Sequence, residues 1–118
     1  MHWTVLLHPE FRAWLYEQEE GAQDVIFVSL GLLQREGPML PRPYADTVKG
    51  SRYPNMKELR VQYRGDPWRL LFAFDPKRQA IILVGGNKTG HKRWYEQNIP
   101  IADERFAEHL KALEENER

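Results

Sequence analysis

The spacing of hydrophobic residues changes period along the chain. Trp3, Val5 and Leu7 alternate with Thr4, Leu6 and His8, which predicts a short half-buried strand. Pro9 suits the first turn of a helix, and Phe11, Trp14, Leu15 and Gln18 follow at helical spacing. After Gly21 a second helix is predicted from about Ala22 to Glu36, with Val25, Ile26, Ser29, Leu32 and Leu33 as its buried stripe and Gly37-Pro38 ending it. Met39–Asn55, rich in proline and without a clear period, predicts an ordered loop. From Met56 the period becomes two: Leu59, Val61 and Tyr63 face one way, and Glu58, Arg60, Gln62 and Arg64 the other. GDP makes a turn, Trp68–Asp75 the next strand, DPKR a second turn and Gln79–Val84 the last strand, so an antiparallel meander is expected. Lys88–Pro100 shows no regular period. A terminal helix is predicted to start near Asp103 and Glu104, where negative charge suits a helix N-terminus, with Phe106, His109, Leu110 and Leu113 turned inward. The order βααβββα predicts an α+β fold: an antiparallel four-stranded sheet with two N-terminal helices packed on one face and a C-terminal helix.

Composition narrows the class. The 118 residues, 42% hydrophobic and 29% charged, suit one domain spanning 1–118. The absence of cysteine fits a reducing compartment, and no apolar run approaches the roughly 20 residues of a membrane span. The start, MHWTVLLHPEF, lacks the basic and apolar pattern of a signal peptide. A soluble cytoplasmic protein is expected. Charge changes the picture more. Net charge is zero, yet Met1–Val48 carries 3 basic and 7 acidic residues, Lys49–Tyr95 carries 11 and 3, and Glu96–Arg118 carries 3 and 7. Segregation of this kind points to a basic face, because local fields steer ligands more than net charge does.

Strand parity suggests where that face lies. With a tight Arg64–Pro67 turn, Gln62 falls opposite Arg69, and Arg60 shares their face. A tight turn after Asp75 carries the same face through Ile82 and Val84 to Gly86 and Lys88. Arg60, Arg69 and Lys88 are therefore expected at one end of an uncovered sheet face, with Arg64 near the turn and Tyr95 just after the basic loop. Arginines offer bidentate contacts to phosphate oxygens, and Trp94 or Tyr95 could stack on an exposed base. The same groups around one phosphodiester could promote attack by the 2′-hydroxyl. Cations would stabilise the developing charge, and a lysine among cations, or a tyrosine, could move protons. GGNKTG lacks the GxxxxGK[ST] spacing of a phosphate loop and reads as a turn whose glycines permit close backbone approach. His91 sits with the cations, but no second histidine or carboxylate has metal-ligand spacing, so neither metal nor cofactor is expected. Trp3, Trp14 and Trp68 read as core, and Arg64 as a solvated strand-end residue.

The segment KELRVQYRGDPWRLLFAFDPKRQAIILVGGNKTGHKRWYEQNIPIAD closely resembles the HigB-like branch of the RelE/ParE toxin superfamily, phage-encoded members included. The likeness extends to the WxVxxHPEFxxWL opening and the GPxLxRPxxDxxxGS loop, covering nearly the whole chain. It implies a toxin of a type II toxin–antitoxin system that cleaves mRNA on the ribosome without a metal, inhibiting translation. The implied partner is a small helix-turn-helix antitoxin, HigA-like, through which alone the toxin meets DNA. The family's strand arginines match Arg60 and Arg69, its basic position after the last strand matches Lys88, and its C-terminal aromatic matches Tyr95 or, second, Trp94. Lys57, Arg64, His91, Lys92, Arg93 and Trp94 are the accompanying RNA-binding candidates. The chain departs from members that use a histidine base, since only His91 is near. A different class also fits: a non-enzymatic toxin blocking a protein such as gyrase, or a phage RNA-binding module.

Overall fold

A computed structural model describes residues 2–117. Its elements are β1 (Thr4–Leu7), α1 (Pro9–Tyr16), α2 (Glu20–Glu36), a 3-10 turn (Gly37–Met39), β2 (Ala45–Thr47), β3 (Lys57–Tyr63), β4 (Asp66–Phe74), β5 (Gln79–Asn87) and α3 (Trp94–Asn116). His8 caps α1, its Nδ1 accepting the Glu10 N–H at 3.1 Å, and Pro9 occupies the first turn. Gly37 ends α2 at φ +56°, a conformation that favours glycine.

The sheet order is β1-β5-β4-β3-β2, with β1 parallel to β5 and the other pairs antiparallel. It has five strands where four are expected, because the loop's Ala45, Asp46 and Thr47 pair with Leu59, Glu58 and Lys57. Alternation sends Leu59, Val61, Leu70, Phe72 and Ile82 into one core beneath α1 and α2 with Phe11, Leu15, Ile26 and Leu33. Leu71, Ala73, Ile81 and Leu83 enter a second core, under α3, with Trp94, Ile99, Ala102 and Phe106. The face expected to be open is therefore partly covered by α3.

Three further expectations are corrected. The β3–β4 turn has only Arg64 and Gly65 at its tip, at φ +51° and +80°, the paired left-handed conformation of a two-residue hairpin. Pro67 thus lies inside β4, and Arg69 pairs with Arg60 rather than Gln62. Between Leu71 and Phe72 the β4–β5 register shifts by one, so Phe72 faces Ile82 while Leu71 faces Val84. Ile82 and Val84 consequently sit on opposite faces, and the bulge brings Gly86 opposite Arg69. Arg105 donates to the carbonyl of the extra residue, Leu83, at 2.8 Å.

The stretch GGN continues β5 instead of turning. A Cβ on Gly85 would lie 2.4 Å from Trp14 and one on Gly86 2.5 Å from Trp94, so the strand is pressed between both helical layers at these glycines. The terminal helix begins at Trp94, well before Asp103, and contains Pro100 on its exposed side. Asp103 is a buried helix-interior carboxylate that accepts from Ser51 Oγ and, at 3.0 Å, from the Arg52 N–H, tying the loop before β3 to α3. His109 pairs with the buried Asp75 at 2.7 Å and binds the same helix to the β4–β5 turn.

Candidate functional site

Around Glu58 of β3, charged side chains of β2, β3 and β4 meet Lys88, which follows β5, and Tyr95 of α3. Arg60 shares its face two residues on, Arg69 lies directly across on β4, and Gly86 of β5 pairs with Arg69 and leads to Lys88. Tyr95, in the first turn of α3, closes the cluster from above. Two arginines directly opposite on neighbouring strands repel. The Glu58 side chain, only 5% exposed, lies between them: Arg60 Nε donates to Oε2 at 3.1 Å, and Arg69 Nε stands 3.7 Å from Oε1. Tyr95 donates its hydroxyl hydrogen to Glu58 Oε1 and accepts from Arg69 Nε at 3.3 Å. Asp46 of β2 receives Arg60 Nη2 at 3.2 Å and Arg42 Nε at 3.0 Å.

These contacts set the protonation states. The hydrogen bond to Glu58 raises the Arg60 pKa and fixes its charge. For Asp46 the backbone N–H of Thr47 is the main cause that lowers the pKa, assisted by Arg42 and Arg60. Burial, then the Glu58 hydrogen bond, raises the pKa of Tyr95, so its hydroxyl keeps its proton. Lys88 moves in the direction that eases proton loss: burial and then the Arg69 charge lower its pKa. Its Nζ lies 4.8 Å from the centre of the Tyr95 ring.

The four residues expected to form the catalytic centre, Arg60, Arg69, Lys88 and Tyr95, are thus neighbours on one face. His91, Lys92 and Arg93 are exposed beside them on the turn into α3. Three other expectations do not join the cluster. Trp94 is buried against Gly86 in the core and offers no face for stacking. Lys57 pairs with Phe72 and so belongs to the face of α1 and α2. Arg64, at the hairpin tip, lies over the Tyr63 ring and 3.6 Å from Glu19. Glu58 and Asp46 join the site without being among the residues the sequence pattern predicts for it. Glu58 could have been marked by its parity with Arg60 and by being one of only 3 acids between Lys49 and Tyr95. A hollow of about 640 Å3 lies at the β1 edge of the sheet, away from this cluster, where His8 and Glu108 pair at 3.4 Å.

Such an arrangement can hold an anion against Arg60 and Arg69 with a proton-exchanging amine beside it. Known proteins place it further. The family described as "Phage derived protein Gp49-like (DUF891)" matches residues 13–107. Two Mycobacterium tuberculosis proteins, named "Putative toxin HigB2" and "Putative toxin HigB3", are each 49% identical to the chain, over 87% and 86% of its length. The chain spans about half of the first (52%) and 89% of the second. Among solved structures, an E. coli toxin RelE mutant in the free state superposes with a TM-score of 0.57 at 9% identity, over 81% of this chain and 94% of that one. A chain of the archaeal RelE–RelB complex from Pyrococcus horikoshii gives 0.54 at 17% identity, over 75% and 97%. The structural likeness shows a RelE-like fold, and the family match over residues 13–107 together with the two 49%-identical HigB relatives shows that the chain belongs to the Gp49-like family and is HigB-like.

Proposed function

We propose that the protein is the toxin of a two-gene toxin–antitoxin system and an endoribonuclease that cuts mRNA on the ribosome. The observation that carries this reading is the convergence of Arg60, Arg69, Lys88 and Tyr95 on the buried Glu58. In the proposed reaction the 2′-oxygen attacks the adjacent phosphorus, the bond from phosphorus to the 5′-oxygen breaks, and the products are a 2′,3′-cyclic phosphate and a 5′-hydroxyl. Arg69 and Arg60 stabilise the charge that grows on the phosphate oxygens. Lys88, in its neutral form, takes the 2′-hydroxyl proton and can return it to the leaving 5′-oxygen. Tyr95 supports Lys88 with its ring and Glu58 with its hydroxyl. Because the neutralising charges come from side chains, cutting should persist in EDTA.

The same contacts support the reading that cutting depends on the ribosome. Glu58 is occupied by Arg60, Arg69 and Tyr95, which leaves the Lys88 amine to act without a free carboxylate to help orient the substrate. The substrate must then be held in attack geometry by an external frame. The partner we propose is a helix-turn-helix antitoxin encoded beside this gene; the archaeal RelE is a precedent for such pairing, having been solved with RelB. The test maps cuts in a translated message and in its start-codon mutant after induction. Cuts confined to the translated message are expected. Equal cutting of both would refute ribosome dependence, and growth arrest without cutting would favour a non-enzymatic toxin.

The lysine can be tested separately. Lys88→Arg keeps the positive charge but removes the readily lost proton. Cleavage is expected to fall about 100- to 10,000-fold while RNA affinity is retained. With lysine, the neutral fraction grows as pH rises toward its lowered pKa, so the wild-type rate should climb above neutral pH. The arginine variant should lose that climb. A variant with the wild-type rate and pH profile would remove Lys88 from proton transfer.

A further inference from the structure

A groove of about 490 Å3 starts at Arg60 and Arg69 and runs round the free edge of β3 to the outer side of α2. It exists because β2 ends at Ala45, so β3 beyond Arg60 has no strand beside it on that edge. Its walls are Val25, Val28 and Ser29 on one side, Pro43 and Tyr44 on the other, and Val61 and Gln62 along the strand. Val28 is 73% and Tyr44 51% exposed, so the groove offers solvent an aliphatic and an aromatic surface. The Tyr44 backbone is nevertheless held at both ends. Its N–H donates to Pro41 at 3.0 Å, and its carbonyl accepts from the Arg60 N–H at 2.9 Å. The backbone that carries the ring is therefore fixed next to Arg60.

We infer that this groove is a nucleotide subsite: it takes the base adjacent to the scissile phosphate, stacked on Tyr44 against Val28, while Arg60 and Arg69 hold the phosphates. The inference rests on the endoribonuclease reading above and adds the substrate contact that reading lacks, since Trp94 is buried and Tyr95 is covered by Lys88. The volume suits one nucleotide. A flat aromatic opposite an aliphatic wall accepts any base by its face, and Ser29 and Gln62 bring hydroxyl and amide groups within the same groove to read its edge. Continuity with two arginines favours a polyanion over a purely apolar partner here.

The experiment uses the toxin, released from its antitoxin, and a short RNA made uncleavable by a 2′-deoxy substitution at the cut site, with 2-aminopurine next to it. Wild-type protein should bind this RNA and change the 2-aminopurine fluorescence as the base stacks. Tyr44→Ala should lose the fluorescence change and bind about five- to tenfold more weakly. Tyr44→Phe should retain both, and unchanged thermal unfolding shows that the variants are folded. If wild type binds but Tyr44→Ala gives the same signal and affinity, the subsite is wrong while the endoribonuclease reading stands. If Tyr44→Ala keeps the RNA signal and loses the antitoxin, the groove is a protein interface and the subsite is again wrong. If wild type neither binds nor cuts RNA on ribosomes, both readings fall.

Discussion

Arg69→Ala should lower single-turnover mRNA cleavage by about 100- to 1,000-fold, the usual loss when one well-aimed group that stabilises transition-state charge is removed. Its side chain is 15% exposed, and the other residues from Pro67 to Phe74 of its strand are apolar, so its charge acts through a less polar medium than water. Nε is engaged with Tyr95 and Nη1 with the Trp68 carbonyl at 2.9 Å, which fixes the fork and turns its remaining edge outward. Arg69→Lys should recover little, because a point charge does not reproduce a bidentate contact. Both variants should fold and be captured by the antitoxin, since neither change touches the layers beneath the helices. Toxicity and cleavage at wild-type level in Arg69→Ala would exclude this residue from the reaction. Toxicity without cleavage would point to a protein target.

How much of this site could be read from the chain depended on whether each strand carried a mark of its faces. In β3, Leu59 and Val61 alternate with Glu58, Arg60 and Gln62, so the face of Arg60 was legible and correct. The register was not, because it depended on Arg64 adopting a positive φ beside Gly65, which nothing in the letters Arg-Gly-Asp requires of an arginine. The run Ile81-Ile82-Leu83-Val84 is apolar throughout, so alternation could not reveal the bulge. Without that bulge, Lys88 would not emerge beside Arg69 as it does. Strand β2 has three residues among prolines and exists only through pairing with β3, which is tertiary information. The early start of α3 was masked by Pro100, which ordinarily argues against a helix interior. That early start both buries Trp94 and delivers Tyr95. Glu58 carries the weakest mark of all in the sequence. A search for phosphate-binding chemistry rewards cations, whereas holding cations together on adjacent strands requires an acid among them.

Glu58→Ala should show that requirement in two ways. The carboxylate is buried and engaged by Arg60, Arg69 and Tyr95, and its removal leaves the opposed arginines without the charge between them. Breaking a fully buried pair costs about 3–5 kcal/mol. Arg60 is 35% exposed and can turn to solvent, so about 2–3 kcal/mol is expected in urea unfolding. The catalytic effect should have the opposite sign for binding and for rate. Losing one negative charge from a cationic face should leave RNA affinity equal or tighter. The rate at saturation should nevertheless drop about 100-fold, because Arg69 and Tyr95 lose their common anchor and the fork moves off the phosphate. Glu58→Gln should lie between, since an amide oxygen can still accept from a guanidinium but brings no charge. A parallel fall in affinity and rate would mean that Glu58 contacts the RNA itself. A normal rate with lowered stability would make it a purely structural counter-charge, and Lys88 and Tyr95 would then owe their placement to Gly86 and the first turn of α3 alone.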